Sequence, residues 1–137
     1  MSDVNTQDGA GRTKLHHAAK DGQYEEVRRL VERGADVNIR DNAGKTAVMW
    51  AAWMGRGDIV KYLHQAGADL NIGDNVGRTA VMGAARRGHA DVVKYLHQAG
   101  ADISIRNNYG ESALGLAAES GHSAVVQYLT QADGGRG

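Results

Sequence analysis

A chain of 137 residues with 16 Lys and Arg against 16 Asp and Glu has room for one domain with a modest core. It has no charge excess, which argues against a general nucleic-acid or membrane-surface binder. The absence of Cys excludes a disulfide framework, a thiolate metal site and a thiol nucleophile, and the absence of Phe and Pro leaves Leu, Val, Ile and Ala to build the core.

No apolar run approaches the length of a membrane span, and residues 1–7 lack the apolar stretch of a signal peptide, so a soluble cytoplasmic or nuclear protein is expected. After residues 1–7, expected to be mobile, the chain repeats itself. Gly11, Gly44, Gly77 and Gly110 stand on a 33-residue grid, as do Ala18-Ala19, Ala51-Ala52, Ala84-Ala85 and Ala117-Ala118. Such a period means stacked supersecondary units, none able to bury its apolar face alone. The units are 8–40, 41–73, 74–106 and 107–133, forming a single domain over 8–133, with 134–137 expected as a mobile tail.

The second unit is the template. Thr46 is placed to cap a helix whose Val48, Ala51, Ala52 and Gly55 fall on one face. Gly55 ends that helix, and Gly57-Asp58 opens a second one with Ile59, Val60 and Leu63 as its apolar face. Gly67 suits the left-handed position after a helix end, and Asp74-Asn75-Val76-Gly77 reads as the tight turn of a hairpin-like arm.

These motifs carry a resemblance. Gly-Arg-Thr-Lys-Leu-His-His-Ala-Ala at 11–19 resembles the ankyrin pattern Gly-x-Thr-Pro-Leu-His-x-Ala-Ala, and Gly88-His89, Val92-Val93, Leu96 and Gly100-Ala101-Asp102 are similar to the rest of that repeat. The resemblance covers nearly the whole chain. It implies an all-α solenoid of units with two antiparallel helices and an arm projecting near a right angle. The family's Pro is Lys14, Ala47, Ala80 or Ala113 here, which weakens the start of each first helix slightly. Its His is Met49, Met82 or Gly115 in the later units, which puts in question the polar network between neighbouring turns.

The ends differ. Glu26 and Arg29 stand where inner units carry Ile59 or Val92 and Tyr62 or Tyr95, a polar outer face that caps the stack. The last unit keeps Val125 and Tyr128, so its outer face is expected to be less well capped.

The helix stripe facing the second helix hardly varies between units, but the opposite face varies completely. It reads His16, His17, Lys20, Asp21; Met49, Trp50, Trp53, Met54; Met82, Gly83, Arg86, Arg87; and Gly115, Leu116, Glu119, Ser120. By the resemblance, the last two positions of each set line a concave groove. That places Trp53, Met54, Arg86 and Arg87 together, flanked by Lys20, Asp21, Glu119 and Ser120. Trp and Arg are the types most enriched at binding hot spots, and Met adds adaptable apolar surface. Trp50 is expected inside, with Gly83 leaving room for its ring. Trp53 is expected exposed, because its counterparts are charged. The arm tips add Lys45, Val76, Arg78, Tyr109 and Glu111.

The expectation is a monomeric scaffold, not an enzyme, that binds a protein bearing an apolar patch beside acidic groups, with no nucleic acid, membrane, cofactor or metal. The near identity of units two and three fits a designed or selected binder equally. A structural subunit using the outer face of the last unit is a further alternative. His64 and His97 sit on stacked helices ~8–10 Å apart, too far to share a zinc at ~2.0–2.1 Å each. Arg56-Gly57-Asp58 spells an integrin-type tripeptide, but at a helix start rather than a loop tip.

Overall fold

The computed structural model describes residues 3–133. Its eight helices are α1 (Lys14–Asp21), α2 (Tyr24–Glu32), α3 (Ala47–Trp53), α4 (Gly57–Gln65), α5 (Ala80–Arg87), α6 (Ala90–Gln98), α7 (Ala113–Glu119) and α8 (Ser123–Ala132). The odd-numbered helices lie side by side in one row, each backed by the next helix in a second row. Among the described residues no strand forms, so each arm is a run of turns.

Small residues make the close approach of the rows feasible. Ala19, Ala52 and Ala85 are fully buried, as are Val27, Val60 and Val93 of the second row. In the second row, His64 Nδ1 lies 2.9 Å from the Tyr95 hydroxyl and His97 Nδ1 lies 2.7 Å from that of Tyr128. These histidines are therefore joints between units. Arg56, His89 and His122, at the turn into each second helix, reach back to the preceding unit. Their side chains meet the carbonyls of Lys20 at 3.3 Å, Trp53 at 2.9 Å and Arg86 at 2.8 Å. Arg56 of the Arg-Gly-Asp stretch is thus engaged at the helix start.

From Asp3 on, the start of the chain makes the hydrogen bonds of an arm end. Asn5 Oδ1 accepts from the Asp36 N–H at 2.8 Å, as Asn38 accepts from Asp69 at 2.9 Å and Asn71 from Asp102 at 2.8 Å. Asp3-Val4-Asn5 repeats Asp36-Val37-Asn38 one period earlier, a signal present in the sequence. Met1, Ser2 and the tail 134–137 lie outside the described residues.

At the other end, Val125 is fully buried and Tyr128 is held by His97, so neither forms the open face that the sequence suggested. Tyr128 leans back toward the preceding unit. The last unit is less covered at Ala118, exposed where its three counterparts are buried completely, and at Leu114 and Val126, partly exposed where theirs are buried.

The helix caps record the missing histidines. In α1 the His16 N–H donates to Thr13 Oγ1 at 3.3 Å, and the Thr13 N–H donates to His16 Nδ1 at 3.0 Å. His16 Nε2 then donates to the Lys45 carbonyl of the next unit at 2.9 Å. In α3 and α5, where Met replaces His, the buried hydroxyls of Thr46 and Thr79 have no hydrogen-bond partner. Leaving such a group unsatisfied costs about 1–3 kcal/mol. Met49→His supplies both the cap and a donor aimed at the Arg78 carbonyl, the counterpart of Lys45. After the loss of Met49 packing, a net gain of about 1 kcal/mol is expected in urea melts at pH 7.5. The gain should vanish below pH 6 as the imidazole charges.

Candidate protein-binding groove

The arm tips are built on Asx turns. Asp41 Oδ1 accepts the N–H groups of Ala43 at 3.0 Å and Lys45 at 2.8 Å, and Asp74 Oδ1 accepts those of Val76 at 3.0 Å and Arg78 at 2.9 Å. Neighbouring tips are joined by the Asn75 N–H to the Ala43 carbonyl at 3.0 Å and by the Asn108 N–H to Val76 at 2.9 Å.

Each turn carboxylate has a second oxygen to satisfy, and the residue nine positions on decides how. Asp8 Oδ2 lies 2.8 Å from His17 Nε2, and Asp41 Oδ2 accepts the Trp50 indole N–H at 2.9 Å. In the third unit that position is Gly83, and the Asp74 carboxylate is paired with Lys45 of the preceding arm instead. In the fourth unit, Asn107 replaces the acid and donates to Glu111 Oε1 at 2.9 Å.

These contacts lower the carboxylate pKa values. The His17 hydrogen bond leads in bringing Asp8 down to about 2. Burial pushes Asp41 and Asp74 up. Hydrogen bonds from Trp50 and the turn backbone outweigh it at Asp41, and those from Lys45 and the turn backbone outweigh it at Asp74, leaving both below the ordinary range. Burial lowers His16. All four groups bind protons less readily folded than unfolded. The stability they contribute is therefore present above their unfolded pKa values and lost as pH falls. A melting-temperature profile should drop first below about pH 6.5, from His16, and again below about pH 4, from the aspartates. His16→Gln should flatten the first drop and leave the second.

Trp50 is buried, but Gly83 is not what makes room for it. Its ring faces the first unit, with the Arg12 guanidinium 4.7 Å and the Lys20 ammonium 5.2 Å from its centroid. The space at Gly83 borders Trp53, whose Cβ would sit 3.5 Å from a Cβ on the glycine. Trp53 is half-buried rather than exposed, stacked 5.3 Å from Trp50 and flanked by Lys45 and Arg87, each 5.5 Å from its ring. The two tryptophans make one aromatic slab because they lie three residues apart on α3.

Lys45 also departs from its expected role. Its side chain is 15% exposed and held by Asp74, so it belongs to the floor rather than to a free tip. Two adjacent depressions gather most of the remaining residues. One lies between α3 and α5, with Met49, Trp53, Met82, Gly83 and Leu116 on its walls and Arg78 and Arg86 on its rim. The other joins Arg78 and Arg86 to Tyr109, Glu111, Leu116, Glu119 and Ser120. Tyr109, 68% exposed, is the most prominent apolar side chain at the tips. Asp21 and Arg87 are exposed, Lys20, Met54 and Val76 are half-buried, and none of the five borders either depression.

Sequence reasoning missed the apolar walls that Met49, Met82 and Leu116 give the first depression. The signal was their place on the variable face of each first helix. Among the described residues there is no group of acidic and His side chains able to hold a metal ion, and no helix is long and apolar enough to cross a membrane.

No curated protein gives a significant match to the chain. The family model described as ankyrin repeats (3 copies) matches residues 1–74 and again 66–136. Two rows of paired helices on a 33-residue period, matched by that model along nearly their whole length, show that this chain belongs to the ankyrin-repeat family.

Proposed function

We propose that the chain is a protein-binding scaffold whose concave groove and arm tips hold another protein. Repeats of this family generally mediate protein–protein interaction. The observation that carries the assignment to the groove is Trp53. A half-exposed indole backed by a second indole and flanked by Arg87 offers rigid aromatic area beside positive charge. Trp53 and Met54 supply apolar contact, Arg86 and Arg87 donate to acidic groups, and Val76 and Tyr109 make the tip contacts. The stacked frame fixes these side chains before contact, so little ordering entropy is lost on binding.

The test is titration of a captured partner against Trp53→Ala and against Arg86→Glu/Arg87→Glu. Each should weaken binding by at least about 2 kcal/mol. The arginine pair is exposed, so its variant should melt like the parent. Unchanged affinity in both variants would remove the groove from the interface.

A further inference from the structure

Gly83 occupies the middle of α5 without a backbone reason. It is not among the glycines with positive φ, and glycine is the poorest helix former except proline. The same position carries His17, Trp50 and Leu116 in the other units. Steric need for a glycine is also absent, since an added Cβ would meet its nearest neighbour, the Trp53 Cβ, at 3.5 Å, an ordinary contact. The missing side chain leaves a notch with apolar walls at Trp53, Met49, Met82 and Leu116 and with the Lys45–Asp74 ion pair at its edge. A further observation converges on it. Arg78 and Arg86 on its rim take part in no ion pair among the described residues.

We infer that the Gly83 notch receives one large apolar side chain from an acidic segment of the partner protein, with a nearby carboxylate of that segment held by Arg78 and Arg86. This rests on the groove reading above and deepens it. The walls are hydrocarbon, thioether and indole, which suit Leu, Met or Phe. Beside the mutually neutralised Lys45 and Asp74, the rim carries Arg78 and Arg86 without ion-pair partners among the described residues, which favours an acidic neighbour over a basic one. A helix-to-helix gap has width for one side chain and not for a second helix.

The probe is a library of random 12-residue peptides displayed on phage and panned against the full chain. The selected peptides are then synthesised and titrated by tryptophan fluorescence. The expected winners place one large apolar residue within two positions of Asp or Glu. They should lose at least 10-fold in affinity on Gly83→Leu, which installs the residue that the fourth unit carries there. They should lose as much on Arg78→Gln/Arg86→Gln. Gly83→Ala should raise Tm by roughly 2–4 °C while weakening the same peptides, a split that a purely structural glycine would not give.

Peptides that weaken on Trp53→Ala but not on Gly83→Leu would overturn the notch and leave the groove reading standing. Peptides indifferent to Trp53, Arg86 and Gly83 alike would overturn both. Failure to enrich any peptide over the Gly83→Leu control, or enrichment of basic sequences, would overturn the notch. So would a concentration-dependent dimer by light scattering that Gly83→Leu abolishes, since the occupant would then be a second copy of this chain.

Discussion

Gly44→Ala is expected to destabilise the protein by about 2–5 kcal/mol in urea melts, and Gly110→Ala by only about 1–2 kcal/mol. The two glycines hold the same place in their arms and nearly the same backbone, with φ of 80° and 76°. Both alanines would share the strain of a left-handed conformation. Only at Gly44 does the next unit press on the position, where an added Cβ would lie 2.5 Å from Asn75 Oδ1 and 2.8 Å from its backbone nitrogen. Nothing lies within 4 Å at Gly110. The difference between the variants therefore isolates the contact between neighbouring tips from the intrinsic preference of the turn. Equal losses would mean that the tips do not bear on one another in solution.

Asp74→Ala should cost about 3–5 kcal/mol, as expected when one partner of a buried ion pair is removed. The substitution strips two acceptor bonds from the turn and leaves Lys45, 15% exposed, without its counter-ion. Asp74→Asn separates these effects. Asn107 already closes the equivalent turn, accepting from Tyr109 at 2.9 Å and Glu111 at 3.0 Å, so the amide keeps the turn and loses only the charge. A smaller loss of about 1–2 kcal/mol is expected for it. Adding Lys45→Met to Asp74→Asn should recover part of that loss, because the stranded ammonium is gone. If the double variant is no more stable than Asp74→Asn, the Lys45 ammonium has found solvent and the pair contributes little.

Much of the fold was legible because the repeat constrains it. Ala51-Ala52, Val60 and Leu63 recur at helical spacing in every unit, and the helices of the first three units bury them where the spacing says. The ends were harder, because a repeat that stops has no neighbour to define it. Asp3-Val4-Asn5 spells an arm end that lies ahead of the first complete unit, and Val125 and Tyr128 look open in the sequence although Val125 is buried and Tyr128 is held by His97.

The groove was legible as a set of positions but not as an arrangement of side chains. Lys45 was assigned to a tip on the strength of its place in the turn. Its ion pair with Asp74, 29 residues away, has a counterpart one period earlier in Arg12 and Asp41, 3.6 Å apart, a signal that lies in the comparison of units and not in the turn position alone. Trp53 was expected in solvent because its counterparts are charged. The neighbouring Trp50, three residues back on the same helix, covers half of it.

The turn side chains of Arg56, His89 and His122 have a consequence for how the solenoid is assembled. Each later unit brings the donor and each earlier unit holds the waiting carbonyl. A polypeptide emerging from the ribosome amino end first therefore presents these three carbonyls before their donors arrive, whereas the His16 donor precedes its Lys45 acceptor. Loss of structure is expected to start at the last unit, with backbone amides of α7 and α8 exchanging with deuterium ahead of those in α3 and α5.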